Sequence, residues 1–303
     1  MEARGRIRAV TFDVGGTLAE GRPDHGLYAR RILRLLDSLG FGVRREEWEE
    51  ATGRALSELR ARRENHREMS FQEFSSLQLS FLGVEPQPHL LEEMLSLYLL
   101  SFPRRLKRGA RKVLEQLFPL YGLGVLSNSM SPAPRRFLEE RGLDRYFRVM
   151  LVSGEVGYRK PHPEIFLRAL RELGVSPGEA VHVGDRPEVD GRGARGAGMS
   201  FILVSPRTPE EGVEAEAVVP FLSDVPGALE MLSRPEGEEL LDSLGRRCFL
   251  CSSPHFSLYG LEDRPLLLCP DCRRSLHRPT GAPRKHGKYR AVYRRAWRPQ
   301  GFR

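Results

Sequence analysis

Four stretches of this 303-residue chain place reactive side chains directly after apolar runs. Residues 7–12 give way to Asp13-Val14-Gly15-Gly16-Thr17-Leu18, and residues 122–127 end in Ser127-Asn128. Lys160-Pro161 follows the apolar segment 148–152, and residues 180–184 end in Gly184-Asp185, with Asp190 five positions on. A carboxylate, a hydroxyl, a cation and further carboxylates gathered in one place are the equipment for moving a phosphoryl group. The carboxylate attacks phosphorus, a divalent cation neutralises charge, and hydroxyl and ammonium hold the oxygens. A second constellation is Cys248-Phe-Leu-Cys251, a 17-residue gap, and Cys269-Pro-Asp-Cys272. Two such pairs suit tetrahedral Zn²⁺ in a closed structural site, since four thiolates leave no position for a water. Free thiols or a redox pair are the alternative, and His255 or His277 could each replace a cysteine.

The elements that must position these residues follow from periodicity. Residues 7–12 read as a strand broken by Gly15 and Gly16. Residues 20–103 change to helical spacing: Leu27, Ile32, Leu35, Leu36 and Leu39; a charged helix over 44–65; Phe71, Phe74, Leu77 and Phe81; and 90–100. Beyond Lys107 the pattern alternates. Helices at 109–117, 132–141, 163–173 and 188–197 interleave with strands at 122–127, 148–152, 180–184 and 200–204, and a last helix is expected over 224–232. Such alternation predicts an α/β fold, a Rossmann-like doubly wound parallel sheet with an inserted all-helical cap, plus a small zinc-binding module. Ligands of such sheets bind at the carboxyl ends of the strands, where all four motifs lie.

Taken in this order, the four motifs resemble the haloacid-dehalogenase superfamily, over roughly residues 7–232, and 20–103 resembles that family's type-1 helical cap. The expected domains are 1–19 and 104–232 for the core, 20–103 for the cap, 233–245 as linker, 246–280 as a zinc module resembling a treble clef, and 281–303 as a basic tail. The resemblance implies Asp13 as nucleophile, with Ser127, Asn128 and Lys160 binding phosphate. It implies Mg²⁺ on Asp13, the Gly15 carbonyl, Asp185 and Asp190. The departure is Gly15, where the family's phosphatases carry a second aspartate as general acid, a contribution of about 10²–10⁴-fold. Two relatives without that acid are weighed. Dehalogenases have no need of the Asp185–Asp190 loop, and phosphonate-cleaving members need a cap lysine, which 20–103 lacks. The implied activity is a Mg²⁺-dependent phosphatase working on a small phosphorylated substrate. The alternative is a catalytically weak scaffold that binds RNA or protein. His182 reads as a packed core residue, and Arg22, Asp24 and His25 as candidates for touching substrate.

Charge divides the chain. The net charge is +8, yet eleven cations and no acid fall after Asp271, which leaves the preceding residues at −3. Arginine outnumbers lysine 43 to 5, so the choice of lysine at 160 stands out. In the tail, Tyr289, Tyr293, Trp297 and Phe302 interleave with arginines. Cations neutralise phosphates and aromatic faces stack on bases, so residues 273–303 are expected to bind an anionic partner, RNA or the ribosome before DNA or an acidic protein. No apolar run reaches the ~18–20 residues of a membrane helix. No signal peptide opens the chain, and a cytoplasmic location is expected.

Overall fold

In the computed structural model the described residues are 6–206, 213–233 and the strands Ser257–Leu261 and Arg264–Leu268. The core is a six-stranded sheet of β1 (Ala9–Phe12), β4 (Gly122–Ser127), β5 (Val149–Val152), β6 (Ala180–Gly184), β7 (Ser200–Val204) and β8 (Ala217–Val219). Its order is β5-β4-β1-β6-β7-β8, and every pairing is parallel. Side chains alternate between two apolar layers. Val10, Phe12, Val181, Val183, Ile202 and Val204 pack with α5 (Ala110–Leu117), α6 (Ala133–Glu139) and α10 (Val225–Leu232). Ala9, Leu126, Ala180, Phe201 and Leu203 pack with α8 (Pro163–Leu173) and α9 (Arg192–Gly196). Helices on both faces explain why the strands read as continuous apolar runs. The chain runs outward from β1 to β4 and β5, then returns to lay β6 on the other side of β1. That reversal opens the crevice where ligands of doubly wound sheets bind.

The cap comprises α1 (His25–Ser38), α2 (Arg45–Glu64), α3 (Phe71–Phe81) and α4 (Pro88–Leu100). Their starts are encoded locally. Asp24 accepts the Leu27 N–H, Ser70 and Glu73 form a capping box, and Pro88 opens α4. Tyr28, Ile32, Trp48, Phe71, Met94 and Tyr98 share one buried cluster. The chain enters the cap through β2 (Ala19–Glu20) and leaves through β3 (Arg105–Leu106), which pair antiparallel. Gly21, at φ 146°, lets the two linkers touch, because a Cβ there would overlap the Pro103 carbonyl.

Three features differ from the periodicity reading. The helix expected over 188–197 is split: Pro187–Gly191 forms one wide π-type turn, and α9 starts only at Arg192. A short α7 (Ser153–Val156) follows β5 directly, and β8 is a sixth strand too short to leave a periodic signature. Between the two cysteine pairs of the sequence, β9 (Ser257–Leu261) pairs antiparallel with β10 (Arg264–Leu268). Cys248, Cys251, Cys269, Cys272, the linker and residues 273–303 lie outside the described residues. No helix among the described residues is long and apolar enough to cross a membrane.

Candidate active site

Asp13 stands one residue beyond β1. Its N–H donates to the Val183 carbonyl at 2.9 Å, which carries the β1–β6 ladder up to the reactive carboxylate. The chain then turns back on itself. Gly16 N–H donates to Ala19, Leu18 N–H donates to Val14, and Gly16 takes φ 98°. A side chain at 16 would overlap the Asp185 carboxylate, so this glycine lets the loops after β1 and β6 meet. Lys107, emerging from β3, donates its Nζ to the Gly16 carbonyl and its N–H to Leu18.

The loops after β4 and β5 deliver the cation. Asn128 receives the Lys160 N–H on Oδ1 and donates Nδ2 to the Lys160 carbonyl, each at 2.8 Å. Its side chain is thus a clamp on the lysine backbone. Lys160 is 1% exposed. Its Nζ lies 2.8 Å from Asp13 Oδ1 and 2.6 Å from Asp190 Oδ1. Ser127, the last residue of β4, is buried.

Behind Asp190 sits His182. Thr11 and His182 are partners in the β1–β6 register, and Thr11 Oγ1 is 2.9 Å from His182 Nδ1. His182 Nε2 is 3.4 Å from Asp190 Oδ1. Burial pushes the His182 imidazole down to about 4, so it is neutral at pH 7. The hydrogen-bond network assigns its proton to Nε2, facing the carboxylate, with Nδ1 accepting from Thr11. His182 therefore belongs to the packed interior and also reaches the site through Asp190.

The three aspartates divide unequally. Burial pushes Asp190 up, but Lys160 and His182 outweigh it and hold the carboxyl well below the usual range. Both Asp190 oxygens are engaged, since Oδ2 accepts the Arg186 N–H at 3.0 Å. Burial pushes Asp13 up to about 7, helped by the Asp190 and Asp185 charges and opposed by Lys160. Asp185 is raised as well, first by burial and then by Asp190. Oxygens of Asp13, Asp185 and Asp190 lie within 4.8 Å of one another. Asp13 Oδ2 and Asp185 Oδ1 are buried without a hydrogen-bond partner. Orphaned carboxylate oxygens beside an acidic cluster fit a hard divalent cation such as Mg²⁺, which takes oxygen ligands.

Gly15 is exposed, and nothing lies within 4 Å of where its Cβ would stand. Asp24 serves as the cap of α1, while Arg22 and His25 are exposed.

A scan against family models matches residues 7–198 to the haloacid dehalogenase-like hydrolases. The chain belongs to this family. A glyceraldehyde 3-phosphate phosphatase of Methanopyrus kandleri is 31% identical over 206 residues, 65% of this chain and 84% of that protein. A phosphoserine phosphatase of Thermus thermophilus is 44% identical over 92 residues, 29% of this chain and 37% of that protein. Among solved structures, a 2-haloacid dehalogenase from Pseudomonas syringae superposes with TM-score 0.56 at 27% identity, covering 74% of this chain and 98% of that one. A HAD phosphatase from Thermococcus onnurineus has TM-score 0.51, also at 27% identity and with the same coverage. Like its phosphatase relatives, this HAD hydrolase is an enzyme of the phosphoric-ester class.

Sequence reasoning missed Lys107, which braces the nucleophile loop, and Arg104 three residues before it. Arg104 lies in the outgoing cap linker with its Cζ 3.7 Å above the Phe102 ring, and burial lowers its guanidinium to about 10. In a chain with 43 arginines nothing marks Arg104. The rarity of lysine that singles out Lys160 would equally have singled out Lys107.

Proposed function

We propose that this HAD hydrolase is a Mg²⁺-dependent phosphomonoesterase that carries the phosphoryl group transiently on Asp13. One observation supports this most directly: Asp13 and Asp185, at adjacent strand ends, each bury an oxygen without a partner beside the cation Lys160. Asp13 Oδ2, Asp185 Oδ1 and the Gly15 carbonyl would hold Mg²⁺, with Asp190 close by. When bound, the ion supplies positive charge to the phosphoryl oxygens.

The chain's own residues do the rest. Lys160 has three ammonium protons, and Asp13 and Asp190 take two of them, which leaves one for a phosphoryl oxygen. Ser127 offers a hydroxyl at the neighbouring strand end. Attack by Asp13 forms a carboxylate oxygen–phosphorus bond and breaks the bond to the ester oxygen. That oxygen leaves with the electron pair and is protonated by water, since Gly15 offers no acid. Water then attacks the acyl phosphate, releasing phosphate and restoring Asp13.

The deciding experiment is Mg²⁺-dependent phosphate release from a panel of small phosphomonoesters, with Asp13→Asn as control. The relatives' names put glyceraldehyde 3-phosphate and phosphoserine first in the panel. Turnover retained by Asp13→Asn, or seen equally in EDTA, would overturn the reading. If no substrate turns over, Gly15 favours the second reading, a weak or inactive scaffold that binds RNA or protein.

The four cysteines are proposed to hold one structural Zn²⁺, and residues 273–303 to bind RNA, including ribosomal RNA. Metal analysis of the purified chain should find one zinc. RNA affinity should fall with salt at a log–log slope of about −0.7 per phosphate contact on single strands.

A further inference from the structure

Arg104 is an anomaly of this fold. Its Nη1 is buried and has no hydrogen-bond partner, and among the described residues no carboxylate pairs with its guanidinium. An arginine cannot shed its charge to escape such a position, so an unpaired, partly desolvated guanidinium costs stability. The surroundings hold it there. Its side chain lies on Phe102, whose ring packs edge-on against Tyr98 with centroids 5.9 Å apart. The next three residues run beside the nucleophile loop: Arg105 pairs with Glu20, Leu106 with Ala19, and Lys107 N–H with the Leu18 carbonyl. Arg104 thus stands where the cap linker meets the reactive loops, and it feels the charge of Asp13. The core loops already supply Lys160, Ser127 and the acidic cluster to the phosphoryl group. A cation added from the cap side faces the remainder of the substrate, and its planar fork matches a carboxylate.

We propose that Arg104 is a specificity residue that receives a carboxylate of the substrate, so that the preferred substrates are phosphomonoesters of small hydroxy acids. The proposal rests on the phosphomonoesterase reading. It also separates the two substrates in the relatives' names, because phosphoserine carries a carboxylate and glyceraldehyde 3-phosphate does not.

The test is calorimetric titration of the full-length chain in Mg²⁺ with three probes: inorganic phosphate, propylphosphonate and 3-phosphonopropionate. A charge-assisted bidentate contact should make 3-phosphonopropionate bind at least about tenfold tighter than propylphosphonate. In Arg104→Gln that ratio should collapse to about one, and Arg104→Lys should restore part of it. Both variants should fold, since the guanidinium they replace strands no carboxylate and only its stacking on Phe102 is lost, and thermal unfolding checks this. Equal binding of the two phosphonates to the unmutated chain would overturn the proposal and leave the phosphatase reading standing. So would an Arg104→Gln variant that weakens inorganic phosphate as much as 3-phosphonopropionate, because Arg104 would then serve the phosphoryl group. Binding of none of the probes to the unmutated chain would remove both readings.

Discussion

Lys160 Nζ lies 2.6 Å from Asp190 Oδ1, closer than its 2.8 Å approach to Asp13, and Asp190 is completely buried. The ammonium therefore makes its shorter contact with the carboxylate that does not react. Asp190 is itself fixed by the Arg186 N–H and by His182, and behind His182 stands Thr11. The chain Thr11–His182–Asp190–Lys160–Asp13 runs from the interior of the two central strands to the site at their carboxyl ends. It is a preorganised support, which aims the cation before substrate arrives.

Asp190→Asn should free that lysine. Neutralising one partner of a buried pair commonly costs about 3–5 kcal/mol, here tempered by the second carboxylate. A misaimed Lys160 should lower kcat by about 10² or more. Both Asp190 oxygens are already engaged, so Mg²⁺ affinity should change less than about threefold, against the 10–100-fold typical when a partner that orients a metal ligand is lost. Mg²⁺ titration of activity separates the two roles. A large loss of affinity would make Asp190 a ligand.

The elevated Asp13 carboxyl links metal to pH. Its ordinary value is 3.8, and in the fold it is pushed up to about 7, chiefly by burial. A group raised on folding contributes stability fully below its unfolded value and loses that contribution as pH rises through the folded one. Without metal, then, the Asp13 contribution fades between about pH 4 and pH 7. Mg²⁺ competes with the same proton, so its stabilisation should be larger at pH 8 than at pH 6. Thermal unfolding in Mg²⁺ and in EDTA at both pH values measures this. An equal shift would show that Mg²⁺ does not displace a proton from Asp13.

The sheet and the placement of Asp13, Ser127, Lys160 and Asp185 were legible because apolar runs stop abruptly at polar residues. Strands buried on both faces admit no other pattern. Asn128 and Arg104 were not legible. Whether an amide faces a ligand or a neighbouring backbone depends on how two loops approach, and periodicity carries nothing about that. Asp190 was legible by its spacing from Asp185. Its partners were not, because the π-type turn at Pro187–Gly191 sets them. His182 shows both limits: its burial followed from an apolar strand, but its bond to Thr11 needed the register of β1 against β6.

Gly15 invites a gain-of-function test. The position is open, and a side chain there meets nothing within 4 Å. Gly15→Asp should fold and place a carboxyl two residues after the nucleophile. Protonation of an alkoxide by a positioned acid contributes about 10²–10⁴-fold, so alkyl phosphates should gain within that range. An activated aryl phosphate, whose leaving group needs little protonation, should gain far less. A similar gain on both substrates would mean that the new carboxyl acts on binding or metal, not on the leaving group.

Glu68 tests how the cap is held. It projects from the loop between α2 and α3, its side chain fully buried, with Arg63 at 2.9 Å and Arg159 at 3.7 Å. It also accepts the Ser153 Oγ–H at 3.3 Å, and its N–H donates to the Gly157 carbonyl at 3.0 Å. Arg159 and Ser153 lie on the segment that delivers Lys160, so one cap carboxylate ties the cap to the catalytic loop. Glu68→Gln preserves shape but leaves Arg63 and Arg159 without their carboxylate; because both arginines keep some exposure, the cost should fall below the ~3–5 kcal/mol of a fully buried pair. The loosened cap should raise KM more than it lowers kcat, because none of these residues contacts the reacting carboxylates. Hydrogen exchange should rise at both 66–69 and 153–159. Arg159→Gln combined with Glu68→Gln should cost less than the sum of the single changes, since each removes the other's partner. Additive costs would mean that the two residues act separately and that the cap is held by its apolar contacts instead.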